Sequence, residues 1–269
     1  SLSLPGAGLG TAGAALGTGL AELVAGLYLL YFVLRRSPVL RLQKGEHLRF
    51  NRPQLCTMLC IAAPVASEKV ILTTAQIVST AIVAPLGTVA IAANSFAITA
   101  ESLCYMPAYG IQSAAAMLVG QSVGAGRRNM ARRLGWVTVL IGVAVMIITG
   151  GLLYILAPQM MAILTPNPDI IALGARVLRI EAFAEPLFGA SIVAGGVFQG
   201  VGSTLIPTLF NLGTMWGIRI PLAWLAAPRW GLPGVWAAMC LELCVRGVLY
   251  LTRLVGKRWL PPGDQNVQA

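Results

Sequence analysis

The sequence has 269 residues, 57% of them hydrophobic and only 10% charged, with mean hydropathy +0.78 and a formal net charge of +10. Soluble domains are roughly 45–50% apolar and about 25% charged, so a water-soluble globule of this composition would lack the polar residues to cover itself. A bilayer removes that difficulty. The basic residues fall between apolar runs with no aromatic-interleaved basic face, which speaks against a nucleic-acid partner.

The chain opens Ser1-Leu2-Ser3-Leu4-Pro5, without an initiator Met or a signal-peptide pattern, and reads as a truncated start. Seven apolar runs follow, at 5–34, 55–83, 89–119, 134–157, 170–200, 205–227 and 232–255, each long enough to cross at about 20 residues per pass. The fold class expected is all-α: a polytopic membrane protein with seven transmembrane helices present. Several runs exceed the minimum, which implies tilt or extension beyond the hydrocarbon. Pro64, Pro107, Pro186, Pro207 and Pro221 lie in or near the ends of these runs and predict kinks, because each removes an intrahelical hydrogen bond.

The connections alternate in charge. Arg35, Arg36, Arg41, Lys44, Arg49 and Arg52 separate the first two runs, and Arg127, Arg128, Arg132 and Arg133 the third and fourth. Arg253, Lys257 and Arg258 close the chain, whereas the intervening loops carry only Arg229. Thirteen loop bases on one side against one on the other place the C-terminus in the cytoplasm by the positive-inside rule. The 37–54 connection holds the only histidine, His47, read as a solvated loop residue with a pH sensor as the alternative. Cys56, Cys60, Cys104, Cys240 and Cys244 lie in or beside apolar runs and read as packing residues rather than a metal site.

An offset of 223 residues places Gly8-Leu9 over Gly231-Leu232, Ala14-Ala15 over Ala237-Ala238 and Leu20 over Leu243. Both stretches open a run that ends in a basic segment, so the first run reads as the last helix of an upstream half. The expected organisation is 1–36 as the final, truncated helix of an N-terminal lobe and 37–54 as a cytoplasmic inter-lobe linker. A six-helix C-terminal lobe at 55–258 and a cytoplasmic tail at 259–269 complete it. Equal halves would put roughly 170 further residues before Ser1.

The most specific text begins with Ala63-Pro64-Val65 and Val83-Ala84-Pro85-Leu86-Gly87-Thr88-Val89-Ala90-Ile91-Ala92-Ala93-Asn94. It continues through Gly120-Gln121-Ser122-Val123-Gly124-Ala125-Gly126 and Ala131-Arg132-Arg133, then Phe198-Gln199-Gly200-Val201-Gly202-Ser203-Thr204, Asn211 and Arg219-Ile220-Pro221-Leu222. This order of motifs resembles the multidrug and toxic compound extrusion (MATE) family, with Gln199 where the family usually has Arg. The resemblance implies a twelve-helix, two-lobed secondary transporter that exports organic, often cationic, compounds in exchange for Na⁺ or H⁺ by alternating access. It also implies a multi-pass protein of the plasma (inner) membrane. The implied partners are the lipid bilayer, small organic substrates, a coupling ion and the missing N-terminal lobe, with no cofactor and no catalytic or metal residues. The family's frequent coupling Asp lies in the first helix of the first half, which this chain does not contain.

Ionisable residues at mid-membrane depth are expensive and are functional candidates by default. Counted from the loops, Glu68, Glu101, Glu181, Glu185 and Arg219 fall at similar depth, with Glu181 and Glu185 spaced i, i+4 on one helix face. Carboxylates grouped in a low dielectric can hold a proton, Na⁺ or an organic cation, so ion and substrate compete for one negative site. The family resemblance adds that a Glu in the helix of Glu68 is a binding residue, about one turn from this position. Bland readings stand beside these: Glu68 pairing with Lys69 or Arg219, and Glu101 hydrogen-bonded to Ser, Thr or Tyr. Arg176 and Arg179 could neutralise Glu181 and Glu185, and Arg219 could be a structural counter-ion. Glu242 and Arg246, also i, i+4, read as an internal ion pair. Gln76, Asn94, Tyr105, Met106, Tyr109 and Gln112 are possible cavity residues, with plain packing as the alternative. Gly120-x-x-x-Gly124 and Gly196-x-x-x-Gly200 permit close helix contact but carry little weight among 30 glycines.

A lipid-linked oligosaccharide flippase is the alternative function, although its cavity should be cationic to meet pyrophosphate, whereas the candidates here are mainly acidic. An intramembrane enzyme is less well supported, since no H-E-x-x-H, membrane Asp pair or in-span His is present.

Overall fold

The computed structural model describes residues 10–35, 52–256 and 259–260. His47, most of the 37–54 linker, the bases Arg36, Arg41, Lys44, Arg49, Lys257 and Arg258, the Gly8-Leu9 end of the repeat and most of the tail lie outside the described residues. Among the described residues every regular element is helical. Hydrocarbon offers no water to satisfy an amide, so each segment must satisfy its own. The chain is a multi-pass helical membrane protein.

Two compact units divide it, Ser1–Leu55 and Cys56–Ala269. The first contains α1 (Gly10–Arg35), an apolar helix of 26 residues. At 1.5 Å per residue it is about 39 Å long, enough to cross with tilt. The second unit takes α2 (Arg52–Val83) from Cys56 onward, then α3 (Thr88–Gly124), α4 (Arg128–Leu164), α5 (Pro168–Glu181), α6 (Glu185–Gly200), α7 (Leu205–Thr214) and α8 (Ile220–Val255).

Two of the expected spans differ from simple helices. The 170–200 run is broken into α5 and α6 by a turn at Ala182-Phe183-Ala184, where the Ala184 amide donates to the Glu181 carbonyl at 2.7 Å. Pro186 explains the break. It has no amide to give the Ala182 carbonyl one turn back, so the helix restarts with Pro in its first turn. This corrects the expectation of Glu181 and Glu185 on one continuous face: the break falls between them. The 205–255 stretch carries a π-helical turn at Met215–Arg219 and a non-helical residue, Gly231, at φ 62° and ψ −147°. Only glycine adopts that conformation without strain. A straight helix would separate Arg219 from Met239 by about 30 Å, yet the Arg219 guanidinium touches the Met239 sulfur at 2.6 Å. The chain therefore doubles back at Gly231, and two passes arise where the helix is nominally continuous. With α1, α2, α3, α4 and the broken α5–α6 stretch, the described residues supply a helical segment for each of the seven apolar runs, and five helices are long and apolar enough to cross a membrane.

The core of the second unit is split along the helices. One apolar cluster gathers Ala90–Cys104 of α3, Leu153–Met161 of α4, Ala175–Leu178 of α5 and Ala223–Leu243 of α8. The other gathers Ala115 and Val119 of α3, Ala131 and Val139 of α4, Ala190–Phe198 of α6 and Tyr250 and Leu254 of α8. Glu181, Glu185 and Arg246 fall between the segments of the two clusters, and Glu101 and Glu242 lie in the last turn of the first cluster's segments.

Small residues let the helices approach. A β-carbon at Gly200 would sit 2.5 Å from the Ala116 carbonyl oxygen, one at Gly120 would sit 3.2 Å from the Gly200 oxygen, and one at Gly196 would strike the Gln112 carbonyl. Gly196-x-x-x-Gly200 and Gly120 thus form the α3–α6 contact, which carries little weight from sequence alone, whereas Gly124 has open space around it. The obstructing atoms are backbone and cannot rotate away. We predict that Gly200→Ala destabilises the protein by about 1–3 kcal/mol, whereas Gly110→Ala, with open space around it, is neutral or stabilising by about 0.5–1 kcal/mol. Thermal unfolding of the two variants in detergent checks the contrast.

Candidate functional site

Asn94, Glu101 and Tyr105 follow one another at helical spacing along α3 and so form one stripe. They line a cleft of about 640 Å³ whose other walls are the second half of α2, the π turn and the folded-back part of α8. Lys69 and Gln76 enter from α2, Arg219 from the π turn, and Trp236, Met239 and Arg246 from α8. Trp236 donates its indole N–H to the Asn94 side-chain oxygen at 3.0 Å, which fixes α8 against α3.

Glu101 lines the cleft at only 7% exposure. Glu181, Glu185 and Glu242 lie in the core with 0% exposure each. Glu181 ends α5 and Glu185 begins α6, so the helix break delivers both to the same interior. Gly150 of α4 makes room for this: a β-carbon there would be 2.9 Å from that of Glu185. Among the described residues, neither carboxyl oxygen of Glu181 or Glu185 has a hydrogen-bond partner. The Cys104 thiol lies beside Glu185, without the geometry of a good hydrogen bond.

The positive partners are fewer. Arg246 donates through Nε (2.8 Å) and Nη2 (2.6 Å) to Oε1 of Glu242, leaving Oε2 unpartnered. This is the expected i, i+4 pair. It also faces the cleft, since Arg246 lines it. Arg219 lies in the field of Glu242, Glu181 and Glu101 but bonds none of them directly; its Nη2 meets Met239. Four carboxyl groups (101, 181, 185, 242) thus face two guanidiniums (219, 246).

The sequence-derived candidates fare unequally. Glu101, Glu181, Glu185 and Arg219 come together, whereas only the backbone position of Glu68 in α2 is described. Arg176 and Arg179 do not neutralise the glutamates: both are exposed, and Arg179 instead donates to the Tyr154 carbonyl at 3.4 Å and covers the Tyr154 ring. Gln76, Asn94, Tyr105 and Tyr109 line the cleft, but Met106 is exposed away from it and Gln112 packs against Gly195 and Gly196 of α6. The expectation of a mainly acidic cavity also needs correction. Lys69, Arg219 and Arg246 stand on its walls with Glu101, while the other acids lie behind. Trp236 and Met239 were missed because an apolar residue in an apolar run carries no mark of which face it will show. The mid-span position of Arg246 was the signal that could have placed it.

The MatE family model matches residues 64–225, more than half of the chain. The chain belongs to the MatE family. The "Probable multidrug resistance protein NorM" of Mesorhizobium japonicum is 27% identical over 270 residues, covering 97% of this chain and 57% of its own length. Its namesake in Chromobacterium violaceum is 30% identical over 186 residues, or 66% and 40% of the two chains. This MatE chain therefore spans about half the length of the curated relatives it matches. A MOP superfamily transporter from Pyrococcus furiosus, described as having a binding pocket of reverse polarity, shares the fold at TM-score 0.81 and 17% identity, over 92% of this chain and 56% of that one. An outward-facing multidrug resistance MATE transporter gives 0.80 at 18% identity, over 94% and 57%.

The Glu242–Arg246 pair generates a stability prediction. Removing one partner of a buried pair strands the other charge, at about 3–5 kcal/mol, whereas replacing both by apolar residues is often tolerated. Glu242→Ala should therefore lower the unfolding temperature sharply, and the double variant Glu242→Met, Arg246→Leu should recover most of it.

Proposed function

We propose that this chain is the C-terminal part of a secondary transporter that exports small organic, often cationic, compounds in exchange for Na⁺ or H⁺ by alternating access. The supporting observation is a surplus of acid in and behind the cleft: Glu101, Glu181, Glu185 and Glu242 against Lys69, Arg219 and Arg246, with Arg246 already bound to Glu242. An unpaired carboxylate in an apolar interior is unstable unless a cation or a proton joins it. Cargo and coupling ion then bind in turn to the same charge. Glu101, on the cleft wall, meets the organic cation; Glu181 and Glu185, behind it, hold the coupling ion; Arg219 spans the two groups. Glu68 belongs to the same set as a residue of the cleft-lining helix.

The whole transporter has two lobes and twelve helices, with 1–36 the last helix of the first lobe, 37–54 the cytoplasmic linker, 55–258 the second lobe and 259–269 a cytoplasmic tail. It sits in the plasma membrane with the C-terminus inside, the side on which the loop bases concentrate.

A second reading, a flippase for lipid-linked oligosaccharides, draws on Lys69, Arg219 and Arg246 along the cleft. Arg246 is already bonded to Glu242, which leaves two free cations for a pyrophosphate.

Efflux of a fluorescent organic cation from cells expressing the full-length protein tests the proposal. Glu101→Gln and Glu181→Gln should each cut efflux about tenfold or more, the effect of losing about 1.4 kcal/mol of cation binding. Unchanged efflux in both at normal protein levels would contradict it, and export of an anionic glycolipid instead would favour the flippase.

A further inference from the structure

Bases are scarce at the end of the second unit that holds the α4–α5 loop and the Gly231 turn, yet those present are gathered on one face. Arg176 of α5 and Arg229, just before the turn, line one pocket of about 400 Å³ together with Trp230. Arg176 also borders an apolar groove of about 820 Å³ between α4, α5 and α8, where it is joined by Arg179. Arg176 and Arg229 are exposed, and neither has an ion-pair partner among the described residues. Trp230 is 69% exposed and Phe183 71%.

Depth gives the arrangement meaning. Arg229 sits at the turn itself, while Arg176 is eight residues past Pro168, at which α5 starts, about 12 Å along the helix. A guanidinium at that depth on an exposed face is unfavourable in hydrocarbon unless it reaches the interface or finds an anion. Trp and Tyr favour the headgroup level. The apolar groove beside them accepts hydrocarbon chain. Guanidinium forks above, aromatic rings at the interface and an apolar groove below match the three parts of an anionic phospholipid: phosphate, glycerol ester and acyl chain.

We propose that Arg176, Arg229 and the adjoining groove form a binding site for an anionic phospholipid, with the phosphate between the two guanidiniums and an acyl chain along α4 and α5. Arg179, deeper along α5, is held by Tyr154, whose ring it covers and whose carbonyl it bonds, and borders the groove. The site is separate from the cleft, and its assignment is independent of which substrate the cleft carries.

The test uses the full-length protein purified in neutral detergent, with thermal unfolding followed on addition of phosphatidylglycerol, phosphatidylcholine or glycerol phosphate. Phosphatidylglycerol at saturating level should raise the unfolding temperature by about 5 °C, with no comparable effect from the other two. Arg176→Gln with Arg229→Gln, both at exposed positions, should abolish the shift and strip co-purified anionic lipid detected by mass spectrometry. The proposal is overturned if the double variant keeps the shift and the lipid, if phosphatidylcholine acts equally, or if glycerol phosphate alone suffices. No shift with the unaltered protein overturns it too, as when a carboxylate elsewhere in the full chain already occupies the arginines.

Discussion

Two carboxyl groups at a helix break, Glu181 and Glu185, are fully buried without a hydrogen-bond partner among the described residues, and the surrounding structure is arranged around that constraint. Pro186 forces the break, and the break lets α5 end and α6 begin at one point in the interior. Apolar clusters flank this layer along the helices on either side. Glu101, Glu242, Arg246 and Arg219 are then drawn into the same layer from α3, α8 and the π turn.

The packing that holds the layer depends on the absence of side chains as much as on their presence. Gly142 and Gly150 of α4 face Val193 and Glu185, and Gly200 and Gly196 lie on the backbone of α3. Lipid does not drive helices together as water drives apolar surfaces, so close van der Waals approach has to do so. Away from the charged layer, the Tyr250 hydroxyl donates toward the Pro207 carbonyl and Asn211, tying α7 to α8. The π turn and Gly231 stand apart from this rigid packing. The first widens the helix where it presents Arg219 to the cleft; the second reverses the chain so that Met239 returns beside that arginine.

Much of the fold was legible because the bilayer imposes a length and a composition on every span. Among the described residues all seven apolar runs fall on helix, and five helices are long and apolar enough to cross a membrane. The reversal near Gly231 was readable from the gap between the 205–227 and 232–255 runs, where Arg229 stands. The broken 170–200 span was not, because Pro186 is compatible with a kink as well as a break, and tertiary room made by Gly150 decides. Glu101, Glu181, Glu185 and Arg219 were identifiable since an in-span ionisable residue is conspicuous against apolar text. Their partners were less so. Helical spacing suggested that Arg176 and Arg179 would meet the glutamates, yet rotation of α5 presents them outward. The α3–α6 glycine contact depends on which faces meet, information that spacing within one helix does not hold.

In the proposed cycle an organic cation and a coupling ion compete for the same buried carboxylates, so cation binding should release the ion. Tetraphenylphosphonium would be added to purified full-length protein in weakly buffered detergent, with a pH dye reading protons and a radiotracer reading Na⁺. Competition predicts displacement of roughly one proton or Na⁺ per cation bound, by the reciprocity of linked binding, and its loss when Glu181 and Glu185 are both changed to Gln. Cation binding that releases neither ion, or release undiminished in that variant, would contradict the account.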